Sequence, residues 1–538
     1  MVESRTSAEP GMKTSDPNWY DLFHRRGTRR DFLRVSGSVA GLVALGSLPA
    51  CGRGRSLRFL SDPFTLGVAS GDPSPDGVVL WSRIAGQALD EVGATSDAVA
   101  VGWEVAEDDA FLRVVQSGTA DALPQLGHSV HVEVEGLRAG RDYFYRMIAG
   151  GEVSPVGRTK TAPAVDAAND RFDFAFISCQ HYEQGYYTAL RHLASEDVDL
   201  IVHLGDYIYE GAAIEGRVRR HDGPEILTLD DYRARYTLYR TDADLQAAHA
   251  AAPWVATTDD HEVDNNYAGA TAEDGQSPEA LLLRRAAAYQ AFYEFLPLRR
   301  SSVPRGPDML VYRRLRFGNL LEMNVLDTRQ YRSDQPCGDG VKPTCSEHFA
   351  EDRSMLGARQ RDWLFSGLAR SEARWNVLAQ QVLVARLLGE NDAAEETWSM
   401  DKWDGYPVER QALIDTLADT GVSNPVILTG DIHSNWVTRL LRDFKDPRSD
   451  VVATEFVGTS LSSGGNGRPM TGWGESGIRH NDHIDFYNAQ RGYVLASVTP
   501  ERWTSTYRIV PVVEERGGEV ETLATFVVDD GRPGAQRA

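Results

Sequence analysis

The chain has 538 residues, of which 42% are hydrophobic, and this length suggests two or three domains with sizeable cores. Its formal net charge of -22 argues against a nucleic-acid backbone as the main partner, so no nucleic-acid binding is expected. The acidity does not exclude small anionic substrates, because bound cations can invert the local electrostatic field of a site.

Residues 1–51 have the pattern of an export signal. A twin-arginine element at Thr28–Arg34 precedes the uncharged run Val35–Ala50, which is shorter than a membrane span. We therefore expect export by the twin-arginine machinery to the periplasm, cell surface or medium; a short buried helix is the alternative. Leu48–Gly52 resembles a lipoprotein cleavage box in which Cys51 would carry a lipid, and an ordinary cut nearby is equally open. Membrane contact is expected only through these features.

Residues 57–163 have the pattern of strands and turns. Val78–Ile84 and Ala98–Val105 are rich in β-formers, and Ser129–Val134 alternates strictly. Gly136–Arg146 has a turn followed by an aromatic strand, as in a fibronectin type III domain. These features predict a β-sandwich with a structural role and no chemistry of its own.

After a linker at Thr159–Asp170, short apolar runs alternate with helical periodicity, which predicts a layered α/β domain over 170–512. The predicted strands are Phe174–Ile177, Leu200–Leu204, Trp254–Thr258, Leu320–Leu326, Trp375–Leu378 and Pro425–Thr429. The predicted helices are Gly185–Ser195, Leu229–Ala250, Ser277–Phe295, Gly357–Glu372 and Val408–Thr420. Residues 513–538 are expected to form a strand and a polar tail.

Polar residues follow four of these apolar runs, at Ser178–Gln180, Gly205–Tyr209, Asp259–Glu262 and Gly430–His433. In layered α/β sheets ligands bind at the carboxyl ends of strands. Clustered carboxylates and imidazoles are costly to hold together unless a cation neutralises them. Thiolate, phenolate and carboxylate donors favour a hard or trivalent cation. The pattern predicts metal-assisted hydrolysis; an exposed acidic loop and a capping Asp beside a core Tyr are the alternatives.

The remaining chemistry lies in cysteines and an arginine. Cys337 and Cys345 bracket a polar loop and predict a local disulfide, with two unpaired thiols as the alternative. Cys179 is then a candidate ligand or, with His181, the nucleophile of a cysteine hydrolase that would survive chelation; a buried small hydrophobic residue is the alternative. Arg329 follows another strand and is a candidate anion clamp, because guanidinium matches phosphate oxygens; a surface ion pair is equally open.

Together these motifs resemble the alkaline phosphatase D (PhoD) family of calcineurin-like, purple-acid-phosphatase-related metallophosphoesterases. The matching blocks run in order along nearly the whole chain: Leu66–Pro73, Ser178–Gln180, Gly205–Glu210, Asp259–Asn265, Leu326–Arg332, Asp401–Pro407, Gly430–His433 and Glu455–Ser460. The resemblance implies a fibronectin type III-like β-sandwich followed by an αββα metallophosphoesterase domain.

The resemblance also implies Fe(III) with calcium partners. Cys179, Asp206 and Tyr209 would hold iron, with Asp431 or His433 completing the set. Asp206 and Asp260 would serve calcium, because oxygen donors suit that ion. Further candidate ligands are His261, His433 and Gln381 or its neighbour Gln380.

The implied activity is hydrolysis of phosphate monoesters, diesters or both. Paired cations would lower the pKa of a shared water, and the resulting hydroxide would attack phosphorus in line. Asp206 would bridge the cations, Arg329 would help to stabilise the equatorial oxygens, and His433 or His261 would protonate the leaving alkoxide. A lipid-anchored envelope phosphodiesterase or phospholipase D specific for one diester, and a non-catalytic binding protein, remain alternatives.

Overall fold

The computed structural model describes residues 57–391 and 393–538. The twin-arginine segment and Cys51 lie outside the described residues. Across the described ranges, no helix combines the length and the apolar character needed to cross a membrane.

Two β-sheets face each other in the N-terminal part of the described chain. Strands β1, β2 and β5 form one sheet, and β3, β4, β6, β7 and β8 form the other. The elements are β1 (Val68–Ser74), β2 (Gly77–Arg83), α1 (Gly86–Val92), β3 (Val99–Ala106), β4 (Val114–Ala122), β5 (Ser129–Val134), β6 (Asp142–Ala149), β7 (Glu152–Val153) and β8 (Gly157–Lys160). Their alternate side chains fill one core, which is the β-sandwich that the alternation in this region predicts.

The rest of the chain is a layered α/β structure. Its helices are α2 (Thr188–Leu193), α3 (Leu229–Arg240), α4 (Ala243–Ala251), α5 (Pro278–Phe295), α6 (Gly357–Leu368), α7 (Pro407–Asp419) and α8 (Gly472–His480). Its first strands are β9 (Phe172–Ile177), β10 (Leu200–His203), β11 (Trp254–Ala256), β12 (Arg313–Phe317), β13 (Leu321–Val325), β14 (Val341–Lys342), β15 (Trp375–Ala379), β16 (Gly389–Glu390) and β17 (Glu396–Ser399). The later strands are β18 (Pro425–Thr429), β19 (Asn435–Leu441), β20 (Val451–Val457), β21 (Gly467–Arg468), β22 (Ile484–Val498), β23 (Arg502–Val510), β24 (Glu521–Asp529) and β25 (Arg532–Arg537).

Two large sheets share the long strand β22. One runs β11-β10-β9-β22-β23-β24-β25 and continues at β11 into the first sheet of the sandwich, because β1 pairs with β11 in parallel. The other runs β12-β13-β15-β18-β20-β19-β22. Strands β9, β10 and β11 are parallel to one another, as are β13, β15, β18 and β20. The carboxyl ends of these parallel strands are therefore the places where a site is expected.

Burial on both strand faces produces the αββα layering. In β9, Phe174 and Phe176 enter the core between the two sheets, whereas Ala175 and Ile177 join the core beneath helices α2–α5. In the second sheet, Ile427 packs in the core that α6 and α7 cover. Continuous apolar runs in the sequence are thus strands buried on both faces.

The structure corrects two sequence predictions. The single helix expected over 229–250 is two helices, because Asp242 accepts hydrogen bonds from Asp244 N and Leu245 N and so starts α4 afresh. The polar tail expected after Asp530 is strand β25, which pairs with β24. The sequence of β25 is polar because the strand lies at the edge of the sheet, where one face meets water.

The predicted disulfide between Cys337 and Cys345 is present.

His483 is expected to make the fold less stable in acid. Its side chain is buried, and Nε2 donates to the carbonyl oxygen of Arg386 at 2.7 Å. Burial, together with the charges of Arg386, Arg410 and Arg439, lowers the pKa of His483 to about 4. The unfolded chain, in which histidine has a pKa of about 6.5, therefore binds more protons between those values, so stability falls as pH drops through this window.

Replacing His483 with glutamine should remove this part of the acid sensitivity, because glutamine keeps an N–H donor for the Arg386 carbonyl but does not titrate. Between pH 7 and pH 5, metal-free wild type should lose about 2 kcal/mol more of its free energy of unfolding than His483→Gln does. Urea titrations at both pH values would measure the difference, and equal losses would contradict the prediction.

Candidate metal centre

The four polar motifs meet because two sheets bring their strand ends to one edge. Asp206 lies three residues beyond the end of β10, and Asp259 lies three residues beyond the end of β11. Gly205 precedes Asp206 in a left-handed conformation (φ 114°), where a Cβ would overlap Asp259. Gly430 packs so closely that a Cβ would stand 2.8 Å from Ser178 Oγ. The glycine before each aspartate therefore lets neighbouring ligand loops touch.

Four candidate ligands have left-handed backbone. The φ angles of Cys179, Asp206 and Asp431 are each 59°, and that of His433 is 53°. Such angles are uncommon outside glycine and cost about 1–3 kcal/mol each in strained positions. Hydrogen bonds between loops hold them, including Cys179 N to Gly205 O at 3.1 Å. Strain concentrated at these positions is typical of a functional site.

The first ligand group combines sulfur, oxygen and nitrogen donors. Ligand atoms of Cys179, Asp206 and His433 lie within 4.8 Å of one another. Tyr209 Oη donates to Asp206 Oδ2 at 2.8 Å and lies 3.2 Å from His433 Nε2. Of the two residues expected to complete this set, His433 is therefore the one beside it.

Two more groups continue from the first. Asp206, Asp260 and His261 form one, and Asp259, Asp260 and Asp431 form the other, each with ligand atoms within 4.8 Å. Asp206 and Asp260 each belong to two groups. Buried oxygens of Asp206, Asp259 and Asp260 have no hydrogen-bond partner among the described residues. Unpartnered buried carboxylate oxygens fit a cation, which would offset their desolvation.

The pKa shifts of the cluster also fit a bound cation. Burial raises the pKa of the Cys179 thiol well above its ordinary value, and the charge of Asp206 adds to the effect. Burial followed by Asp206 does the same for Tyr209, and burial raises the pKa of Asp206 itself. Anionic forms of these three groups are therefore costly in the bare protein, and a bound cation would reverse that balance.

Glu210 orients His261 towards the cluster. His261 Nδ1 lies 2.7 Å from Glu210 Oε2, which leaves Nε2 for the group with Asp206 and Asp260. Burial opposes the charged imidazole, yet Glu210, Asp260 and Asp206 together hold the pKa of His261 well above its ordinary value. A carboxylate behind an imidazole is the usual support of a metal-binding histidine.

Arg329 does not have the placement expected of a phosphate clamp. Its side chain is completely buried, with Nε 2.5 Å from Asp259 Oδ1 and Nη1 2.8 Å from Asp401 Oδ1. Nη2 lies 3.6 Å from Asp260 and 3.5 Å from Asp431. The guanidinium is enclosed by four carboxylates, so it braces the acidic cluster from behind.

Gln381 also departs from the prediction. Its Oε1 accepts from Thr328 N and Thr328 Oγ1, and its Nε2 donates to Thr257 Oγ1 and to Leu326 O. Every hydrogen-bonding position of the amide is used, so Gln381 links strand ends and is not available as a ligand. Its neighbour Gln380 is similarly bonded to Thr429 and Trp403.

The cysteine-hydrolase alternative lacks the base that the sequence offered for it. His181 Nδ1 accepts from Glu183 N, and its ring packs against that of Tyr209 at a tilt of 36°, with centroids 4.3 Å apart. The Cys179 thiol instead contacts Ser178 Oγ at 3.2 Å. Among the described residues His181 makes no hydrogen bond to Cys179, so this pair does not form an activated nucleophile.

Several supporting residues had no chemical signal in the sequence. Lys402 Nζ contacts Asp431 Oδ2, Ser463 Oγ donates to Tyr209 Oη at 2.7 Å, and Arg491 Nη1 donates to His433 O at 2.9 Å. Lys402 lies in the Asp401–Pro407 block that carried part of the family resemblance, but a single lysine there predicts nothing by itself.

Comparisons with known proteins identify the family of this chain. The family model for PhoD-like phosphatase matches residues 174–507, and the model for its N-terminal domain matches residues 50–163. Alkaline phosphatase D of Bacillus subtilis (strain 168) is 50% identical over 519 residues, which cover 95% of this chain and 89% of that protein.

One solved structure gives the same result. The structure described as "Structure of PhoD" aligns with a TM-score of 0.87 at 50% identity, over 90% of this chain and 93% of that one. GAP50 of Plasmodium aligns with a TM-score of only 0.36 at 11% identity, over 68% of this chain and 90% of that one. The chain therefore belongs to the PhoD-like phosphatase family, and it is a metal-dependent phosphoric ester hydrolase.

Proposed function

We propose that the strand-end cluster binds Fe(III) together with calcium. Cys179, Asp206, Tyr209 and His433 would hold the iron, since thiolate, phenolate and carboxylate are anionic donors that match a trivalent cation. The carboxylates of Asp259, Asp260 and Asp431, with Asp206 shared and His261 beside them, would hold calcium, which prefers oxygen. The observation that carries this proposal is the chain of three ligand groups joined through Asp206 and Asp260, with unpartnered oxygens on both.

The bound cations would supply Lewis-acid charge and a lowered pKa for water. The protein's own residues set the geometry around them. Asp206 belongs to two ligand groups and so would fix the spacing between cations. Glu210 holds the His261 ring in place. His261 and His433 border the cluster and are the candidate proton donors to the leaving alkoxide.

We also propose that the enzyme is exported by the twin-arginine pathway. The twin-arginine element at Thr28–Arg34 supports this, and the disulfide between Cys337 and Cys345 suits an oxidising compartment. The pathway carries folded proteins, which fits an enzyme that acquires metal before it leaves the cytoplasm. Whether Cys51 is acylated is a separate question, which mass spectrometry of the mature N-terminus would answer.

The test is hydrolysis of a chromogenic phosphomonoester and of the matching phosphodiester, measured side by side with and without a calcium chelator. We expect chelation to abolish turnover and added calcium to restore it, because calcium-binding carboxylates form much of the cluster. The faster substrate would identify the enzyme as chiefly a monoesterase or a diesterase. Turnover indifferent to chelation would contradict calcium-dependent catalysis.

A further inference from the structure

Lys402 lies on a turn that is anchored on both sides. Asp401 accepts from Arg329 Nη1 at 2.8 Å and from Gln335 Nε2 at 2.9 Å, and it also pairs with Arg332. Asp404, two residues after Lys402, accepts from Leu387 N at 2.8 Å and pairs with Arg410. The main chain at Lys402 is therefore held in place by the buried ion pairs of its neighbours. The position of the Lys402 Cα, from which the side chain extends, is fixed in the same way.

The ammonium of Lys402 reaches the edge of the metal cluster. Nζ contacts Asp431 Oδ2, and Asp431 belongs to the proposed calcium group. The side chain of Lys402 keeps 13% of its surface exposed and that of Asp431 keeps 14%, whereas Arg329 and Arg332 keep none. Of these three cations, Lys402 is the one that solvent or a substrate can approach.

Lys402 also has unused hydrogen-bonding capacity. An ammonium carries three donors, and among the described residues Nζ has a single side-chain partner, Asp431. Arg332 donates to Asp401 O and to Asn266 O, and Arg329 is enclosed by carboxylates. Arg329 Nη2 and Arg332 Nε also lack hydrogen-bond partners among the described residues, but both side chains are completely buried. The donors that could meet phosphate oxygens are therefore on Lys402.

We propose that Lys402 binds the phosphate group of the substrate and of the product, as a point charge at the open edge of the cluster. The inference rests on the proposed function and deepens it: Lys402 takes the place that the sequence assigned to Arg329. A lysine ammonium suits this position because it binds phosphate oxygens without needing the planar, two-point geometry of guanidinium. Asp431 holds the Lys402 ammonium in place when no phosphate ester is bound.

The test compares metal-loaded wild type with Lys402→Gln and with Lys342→Gln. Lys342 is exposed in β14, which belongs to the same small sheet as the strand before Lys402, so it is a matched control. Calorimetry with inorganic phosphate, steady-state kinetics on a chromogenic phosphomonoester, and metal content per chain would be measured for all three. We expect Lys402→Gln to weaken phosphate binding and raise KM by about tenfold, with metal content unchanged and Lys342→Gln like wild type.

Two results would overturn the inference. Phosphate binding by Lys402→Gln equal to that of wild type would show that the lysine does not contact phosphate. Loss of metal from Lys402→Gln would show that the lysine only positions Asp431. Failure of the proposed function would be visible in wild type itself, as absent or chelator-insensitive hydrolysis, and so would not be confused with either result.

Discussion

Replacing Asp206 with asparagine should lower ester hydrolysis by about a thousandfold or more, because one carboxylate serves two of the three ligand groups. Asparagine is a suitable substitute because it tolerates left-handed backbone, which this position requires (φ 59°). Its amide can also still accept the hydrogen bond that Tyr209 donates. The loss should therefore come from metal binding and not from a disturbed loop.

The same substitution should stabilise the metal-free protein. Burial and the neighbouring carboxylates Asp260 and Glu262 raise the pKa of Asp206, and its Oδ1 has no partner in the described structure. Removing that group should raise the free energy of unfolding of the apoprotein by about 1–3 kcal/mol, while added metal should stabilise the variant less than it stabilises wild type. Denaturant titrations with and without metal, together with metal content, would measure both effects.

Asp339→Asn is the matched control for Asp206→Asn. Asp339 has the same positive φ of 59°, with a ψ of 178°, and belongs to none of the three ligand groups. Its replacement should leave turnover within a few-fold of wild type. If Asp206→Asn retained metal and turnover, or if Asp339→Asn lost activity to the same degree, the assignment of Asp206 as the shared ligand would be wrong.

Replacing Arg329 with methionine should destabilise the metal-free enzyme by about 3–5 kcal/mol, the usual result of leaving buried charges without their partner. The guanidinium contacts Asp259 and Asp401 directly and lies near Asp260 and Asp431. Denaturant titration of the apoprotein would measure the loss. Arg361→Met is the control, because Arg361 is partly exposed on α6 and, among the described residues, forms an ion pair with its neighbour Asp362 alone.

A phosphate clamp and a buried brace predict different outcomes for Arg329. If Arg329 bound substrate, Arg329→Met would raise KM and leave apoprotein stability near wild type. If it braces the cluster, stability should fall in the metal-free protein, and Arg329→Lys should recover only part of it, because lysine cannot reproduce the forked contacts to Asp259 and Asp401. Unchanged stability with a raised KM would restore the clamp interpretation.

The layering of the fold could be predicted from local sequence. Phe174–Ile177 and Pro425–Leu428 are apolar throughout, because both faces of each strand are buried, one between the sheets and one beneath helices. Asp206 and Asp431 could be recognised because each follows a glycine at the end of such a run. By contrast, strand β25 could not be predicted from the sequence, because an edge strand with a polar composition resembles a polar tail.

The sequence by itself determined which residues can supply the chemistry, namely Cys179, Asp206 and His433 at strand ends. Their residue types, and their positions after short apolar runs, can be recognised without knowing which other segments they contact. Only the tertiary structure decided how those residues group and what surrounds them. It placed His433 with Cys179, enclosed Arg329 among carboxylates, and brought Lys402 to Asp431. The physical reason is that burial and charge pairing depend on contacts between segments far apart in the chain, which local patterns of residues do not specify.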